Sequence, residues 1–242
     1  MNYNKNGAIK KQKHLVSKAS KNKQKVKVSV FKIFLVCIVA FVAVCAGAGF
    51  GMINGILDNA PDIDDINVVP EGFQTCIYNQ DGELVTTLSS INSNRQYVYY
   101  KDIPNDLVNA YIAIEDERFR QHNGVDIRGI LRAAVEGVRN GFHFDQGAST
   151  ITQQLIKNEV FNVGMDEDTF MESLERKIQE QYLAIELEKR LSKDEILEYY
   201  LNSIYLGQGC HGIETASQTY FGKDLSELTI SECAVIAAIT QN

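Results

Sequence analysis

An uncharged run of 21 residues, "IFLVCIVAFVAVCAGAGFGMI" from Ile33 to Ile53, constrains this chain more than any other feature. At 1.5 Å of rise per residue, a helix of that length spans about 30 Å, the thickness of a bilayer's hydrocarbon core. Ten lysines between Lys5 and Lys32 precede it, and the first acidic residue is Asp58. Basic residues collect on the cytoplasmic side of a membrane segment. Residues 1–32 are therefore expected to form a basic cytoplasmic tail, residues 33–53 a single transmembrane anchor, and everything after about residue 58 to lie outside. A cleaved signal peptide is the alternative. "AGAG" at 46–49 supplies small residues, but the run exceeds the roughly 7–15 apolar residues of a signal sequence.

The net charge of −7 over 242 residues hides an asymmetry: beyond the tail, 14 basic residues face all 31 acids, giving −17 over residues 58–242. A hydrophobic content of 45% with 23% charged residues fits a globular body. Cys37 and Cys45 fall in the apolar run. Cys76, Cys210 and Cys233 have no C-x-x-C spacing, which argues against zinc; an external disulfide stays open, and free buried thiols are the preferred reading. The Lys-, Asn- and Ser-rich residues 1–27 read as disordered and suited to anionic headgroups.

After the anchor, "FQTCIYNQDGELVTTL" at 73–88 places Asp81-Gly82 between β-prone runs, a hairpin signal, and "RQYVYY" at 95–100 is expected to add a third strand. Residues 58–101 thus read as a β-containing juxtamembrane linker. From about residue 102 the pattern is helical. Leu107, Val108, Tyr111, Ile112 and Ile114 recur at 3–4 spacing, as do Ile127, Ile130, Leu131, Ala134 and Val138, with Gly141 as a stop. Thr150/Gln153, Thr169/Glu172, Ser192/Glu195 and Thr229/Glu232 carry capping-box spacing, and Gly222 closes a later helix. The body is expected to be mainly α.

Three stretches of the helical body carry candidate chemistry, and a fourth frames them. In "AIEDERFRQHNG" (113–124), Glu115 shares a helix face with Val108, Tyr111 and Ile112. A carboxylate on such a face is stripped of water, the setting of a general acid or base. Asp116 and Glu117 are expected to point elsewhere, into solvent; a merely charged helix end is the plainer reading. In "GASTITQQLIKN" (147–158), Ser149 or Thr150 caps a helix that offers Gln153, Gln154, Lys157 and Asn158 along one side. Amides, hydroxyls and an ammonium suit a sugar diphosphate, against the alternative of a solvent-facing helix side. In "ERKIQE" (175–180), Arg176 and Lys177 could face a phosphate with Glu180 orienting them or holding a metal, or the trio is a surface ion pair. "SKDEILEYYLNSIYLGQGCHGIETASQTYFGK" (192–223) reads mostly as scaffold, and His122 and His211 as structural histidines.

Together these stretches resemble the peptidoglycan glycosyltransferases of glycosyltransferase family 51, the transglycosylase module of class A penicillin-binding proteins and of monofunctional transglycosylases. The likeness runs from about Ile103 to Ile239. "EDERFRQHNG", "GASTITQQLIKN", "RKIQE", "EILEYYLNSIYLG" and "ELTISECAVIAAI" look like the family's five motifs in order. The resemblance implies a lysozyme-like domain over 102–242 with a groove near the membrane, lipid II as substrate and a growing glycan strand as product. Carried over by position, Glu115 is the general base and Glu180 the second essential carboxylate. Lys157 and Arg176 meet the diphosphate, with Lys177 beside them. Ser149, Thr150, Gln153, Gln154 and Asn158 hold substrate, while Asp116, Phe119 and His122 shape the site. The resemblance allows a divalent cation such as Mg²⁺ or Mn²⁺ and implies no organic cofactor. It places the protein in the bacterial cell membrane beside other cell-wall synthesis or division proteins; a nucleic-acid partner is not expected.

One departure stands out. K-T-G is absent, and the S-x-x-K spacing at Ser20–Lys23 lies in the basic tail, so no transpeptidase is encoded within these residues. A truncated class A protein is the favoured expectation over a monofunctional enzyme. A lysozyme-like hydrolase or lytic transglycosylase, and a non-catalytic cell-wall scaffold, are the competing functional classes.

Overall fold

The computed structural model describes residues 5–88, 94–140, 147–161 and 169–241. The chain divides into two units, Met1–Asp58 and Asn59–Asn242. The first is a single helix, α1 (Lys5–Asp58), whose stretch Phe31–Asp58 is long and apolar enough to cross a membrane. Phe34, Val36, Phe41 and Val44 are all exposed, the all-round apolar surface of a helix made for a non-aqueous setting. The basic segment, expected to be disordered, is helical from Lys5 onward. No proline interrupts it and no glycine follows Gly7 until Gly47, so helix-forming Lys, Gln and Ala extend the turn already nucleated by the apolar run.

The second unit opens with the expected hairpin. Strand β1 (Thr75–Tyr78) pairs antiparallel with β2 (Leu84–Leu88), with a bulge between Ile77 and Tyr78. Asn79 Oδ1 closes the turn by accepting the N–H groups of Asp81 and Glu83 at 2.9 and 2.8 Å. The third strand does not form. Arg95 makes only an isolated bridge to His211 and accepts the Gln74 N–H at 3.0 Å. Beyond it, backbone groups pair with side chains: Val98 N–H donates to Asn202 Oδ1 at 2.9 Å, Asn202 Nδ2 donates back to Val98 O at 2.8 Å, and Tyr100 N–H donates to Glu198 at 2.6 Å. A buried amide thus stands in for a neighbouring strand, and Val68 and Val98 enter the same core as the helices.

That core is built by α2 (Asn105–Glu115), α4 (Ile151–Glu159), α5 (Phe170–Leu187), α6 (Lys193–Ser203), α7 (Ile213–Phe221) and α8 (Ile230–Ala238), with α3 (Ile127–Arg139) completing the helical set. All four expected capping boxes are present, at Thr150, Thr169, Ser192 and Thr229, each hydroxyl accepting the backbone N–H three residues on. α7 ends at Gly222 in the left-handed region; the expected stop at Gly141 lies outside the described residues. α4 packs between α5 and α6, and α2 packs on α8. Ile151, Leu155 and Ile156 of α4 are fully buried, each contributing about 1.5–3 kcal/mol. That burial holds a nine-residue helix too short to persist alone. α3 is different: Ile127, Leu131, Val135 and Val138 are exposed. The five cysteines are free, with Cys210 and Cys233 buried.

Candidate active site

Glu115 is the last residue of α2. A helix C-terminus repels a carboxylate, so its place must come from other contacts. Gln154 Nε2 donates to Glu115 Oε2 at 2.8 Å, and the hydroxyl of Thr240 donates to Oε1. Behind Gln154, Tyr200 Oη donates to the amide oxygen at 3.0 Å. Tyr111 and Tyr200 stack edge to face at 6.2 Å. Burial pushes both phenols well above their usual range, and the Glu115 charge pushes the same way. Tyr200 therefore stays a donor.

Asp116, expected in solvent, is buried. The helix ends at Glu115, so Asp116 leaves helical periodicity with an extended φ of −159° and turns inward. Its carboxylate accepts the Ile151 N–H at 3.1 Å and lies 2.9 Å from His122 Nε2. It thereby satisfies an orphan donor at the start of α4. Phe119 is fully buried. Glu117 is exposed as expected. Gly124, with φ +89°, runs so close to α5 that an added Cβ would sit 2.5 Å from the Ala184 carbonyl oxygen. Its own carbonyl accepts the Thr150 hydroxyl at 2.6 Å. The first motif is thus a bracket that fixes where α4 begins.

α4 and α5 supply the charge. Glu180 is completely buried; one oxygen accepts from Arg176 and the other from Lys177 Nζ at 2.8 Å. Lys177 Nζ also donates to Ser149 Oγ at 2.7 Å. Gln153 Oε1 accepts the Thr150 N–H, while its buried Nε2 has no hydrogen-bond partner among the described residues.

These groups surround one cavity of about 740 Å³, lined by Glu115, Arg132, Ser149, Gln153, Gln154, Lys157, Asn158, Ser173, Arg176, Lys177 and Glu180 together with Ile114 and Gly147. Among the described residues, four cations and two carboxylates line it. A second cavity of about 220 Å³ shares Glu115, Arg132 and Ser149 and adds Asp116 and Thr150. Glu115 sits where the two meet.

Residues 81–242 match the transglycosylase family. The chain belongs to that family, the peptidoglycan glycosyltransferases. It is 40% identical over 225 residues to penicillin-binding protein 1A of Clostridium botulinum (strain Langeland), covering 92% of this chain and 26% of that protein. It is 43% identical over 208 residues to penicillin-binding protein 1A of Escherichia coli (strain K12), covering 86% and 23%. With penicillin-binding protein 1A of Streptococcus oralis the identity is 38% over 220 residues, covering 91% and 33%. The chain therefore spans about a quarter to a third of the length of these relatives.

Of the expected site residues of this transglycosylase domain, Glu115, Ser149, Gln153, Gln154, Lys157, Asn158, Arg176, Lys177 and Glu180 line the larger cavity. Asp116 and Thr150 line the smaller one. His122 borders a different hollow, and Phe119 lies in the core; both support the first motif from behind. Sequence reasoning missed Arg132, Ser173 and Thr240. Arg132 had a signal, as a cation set within the apolar stripe "GILRAA". Thr240 had none, since its contact with Glu115 joins residues 125 positions apart. Both Glu180 oxygens are engaged, and among the described residues no three His, Cys, Asp or Glu side chains gather to hold a metal. Among the described residues the positive charge of the site comes from Lys and Arg.

Proposed function

We propose that this domain is a membrane-anchored peptidoglycan glycosyltransferase that polymerises lipid II into glycan strands. Glu115 takes the proton of the acceptor GlcNAc 4-hydroxyl. That oxygen attacks C1 of the donor MurNAc with inversion, the C1–O bond to phosphate breaks, and undecaprenyl diphosphate leaves with the electron pair. Negative charge grows on the leaving diphosphate, and cations already fixed in place stabilise it without reorganisation. Arg176 and Lys177, oriented by Glu180, fill that role, with Lys157 on the same cavity wall. Gln153, whose buried Nε2 has no hydrogen-bond partner among the described residues, would offer that donor to a substrate oxygen.

The observation that carries this reading is Glu115 at the junction of two cavities, the larger one ringed by four cations. Two lipid-linked sugars need two adjoining sites with the base between them. The exposed apolar residues of α3 and the candidate span in α1 support work at a bilayer, with the N-terminus cytoplasmic and the catalytic domain outside. A glycan hydrolase acts on a polymer without diphosphate and has no use for a cavity lined by four cations. Labelled lipid II separates the readings. A polymerase converts it to long glycan and releases undecaprenyl diphosphate in step, whereas a scaffold leaves it intact and a hydrolase shortens added glycan.

A further inference from the structure

We propose that Thr240 holds Glu115 in both of its protonation states by turning a single hydroxyl hydrogen. The proposal rests on Glu115 acting as the base. The two oxygens of Glu115 are held in different ways. Oε2 accepts from Gln154 Nε2, an orientation the ionised carboxylate sets because a flipped amide would turn its oxygen on Oε2, while the Tyr200 hydroxyl donates to the amide oxygen. An amide nitrogen only donates, so Oε2 always faces a donor. Oε1 faces the hydroxyl of Thr240, and that hydroxyl oxygen also lies 2.9 Å from the carbonyl of Ala237, three residues back.

A threonine hydroxyl has one hydrogen and two acceptor lone pairs, so it cannot donate to Glu115 and Ala237 together. Each choice matches one state of the base. With Glu115 ionised, Thr240 donates to Oε1. When the proton leaving the acceptor hydroxyl ends on Oε1, it swings about the C–O bond from the sugar side to Thr240 Oγ1 as the threonine hydrogen turns to the Ala237 carbonyl. Every polar group is satisfied on both sides of the transfer. A fixed donor such as an amide N–H could not accept the new O–H. Glu115 passes through both states in each turnover, so Thr240 is a positioning residue that acts through Glu115.

Steady-state lipid II polymerisation by the full chain tests this with Thr240→Val, which keeps the shape and removes the hydroxyl, and Thr240→Ser, which keeps the hydroxyl. The valine variant is expected to lose about tenfold or more in kcat with KM within about twofold of wild type, and the serine variant to stay within about threefold of wild type in kcat. Thermal melting checks that each is folded, and Thr240→Ala replaces the valine variant if that does not fold. A hydroxyl-free variant with wild-type kcat, or a serine variant as impaired as the valine one, overturns the proposal. Absence of polymer from wild type would instead overturn the reading of the site itself.

Discussion

Lys177 Nζ lies 2.8 Å from Glu180 Oε2, on a carboxylate with no exposed surface. Arg176 takes the other oxygen, so one buried anion fixes the heads of two cations at the cavity wall. Glu180→Gln removes that anion. Breaking a fully buried pair costs about 3–5 kcal/mol; Arg176 and Lys177 keep some solvent contact, which discounts the cost to about 2 kcal/mol. The expected outcome is a lower urea midpoint together with a KM for lipid II raised about tenfold, since the released cations lose their aim.

Gly124→Ala should weaken the domain through backbone alone. A Cβ there meets the Ala184 carbonyl oxygen at 2.5 Å, and φ is +89°. Such positions cost about 1–3 kcal/mol for a non-glycine residue before any clash is counted. Urea denaturation should show a loss of at least about 2 kcal/mol. Polymerisation should fall with it, because Gly124 also anchors the Thr150 cap of α4.

The start of α8 should respond to acid. The Glu232 carboxyl is held at about 2, down from 4.5, chiefly by the hydrogen bond from Lys223, then by the backbone and hydroxyl of Thr229. A carboxyl depressed in the folded state contributes stability that is complete above its unfolded value and is lost as pH falls through the folded one. The window here runs from about pH 4.5 down to about 2. Carbon-detected NMR titration should find the Glu232 midpoint near the lower value, and Lys223→Ala should move it back up. A midpoint near 4.5 in wild type would contradict this.

The sequence made the local features legible. Each capping box is complete within four residues, so Thr150, Thr169, Ser192 and Thr229 could be read directly, as could the Asp81-Gly82 hairpin. Nine of the motif residues, from Glu115 to Glu180, line one cavity, whereas Asp116 and Thr150 line a second and Phe119 and His122 lie away from both. Features set by tertiary partners were not legible. Asp116 looked solvated because its need arises at Ile151, where α4 lacks an acceptor. Residues 95–100 looked like a strand because β propensity does not reveal that Asn202 will take the backbone bonds. The 3–4 spacing of α3 gave a helix but not the surroundings of its apolar face, which is exposed.

Wild type and Glu115→Gln should be compared directly for the initial rate of lipid II consumption, with matched melting curves. Glutamine keeps the shape and can still accept from Thr240, but it cannot take a proton. The expected outcome is a folded variant whose rate falls by a factor of about 100 or more, the scale of a lost general base. A Glu115→Gln protein that makes glycan at the wild-type rate would contradict the central claim that this carboxylate, between the two cavities, accepts the sugar proton.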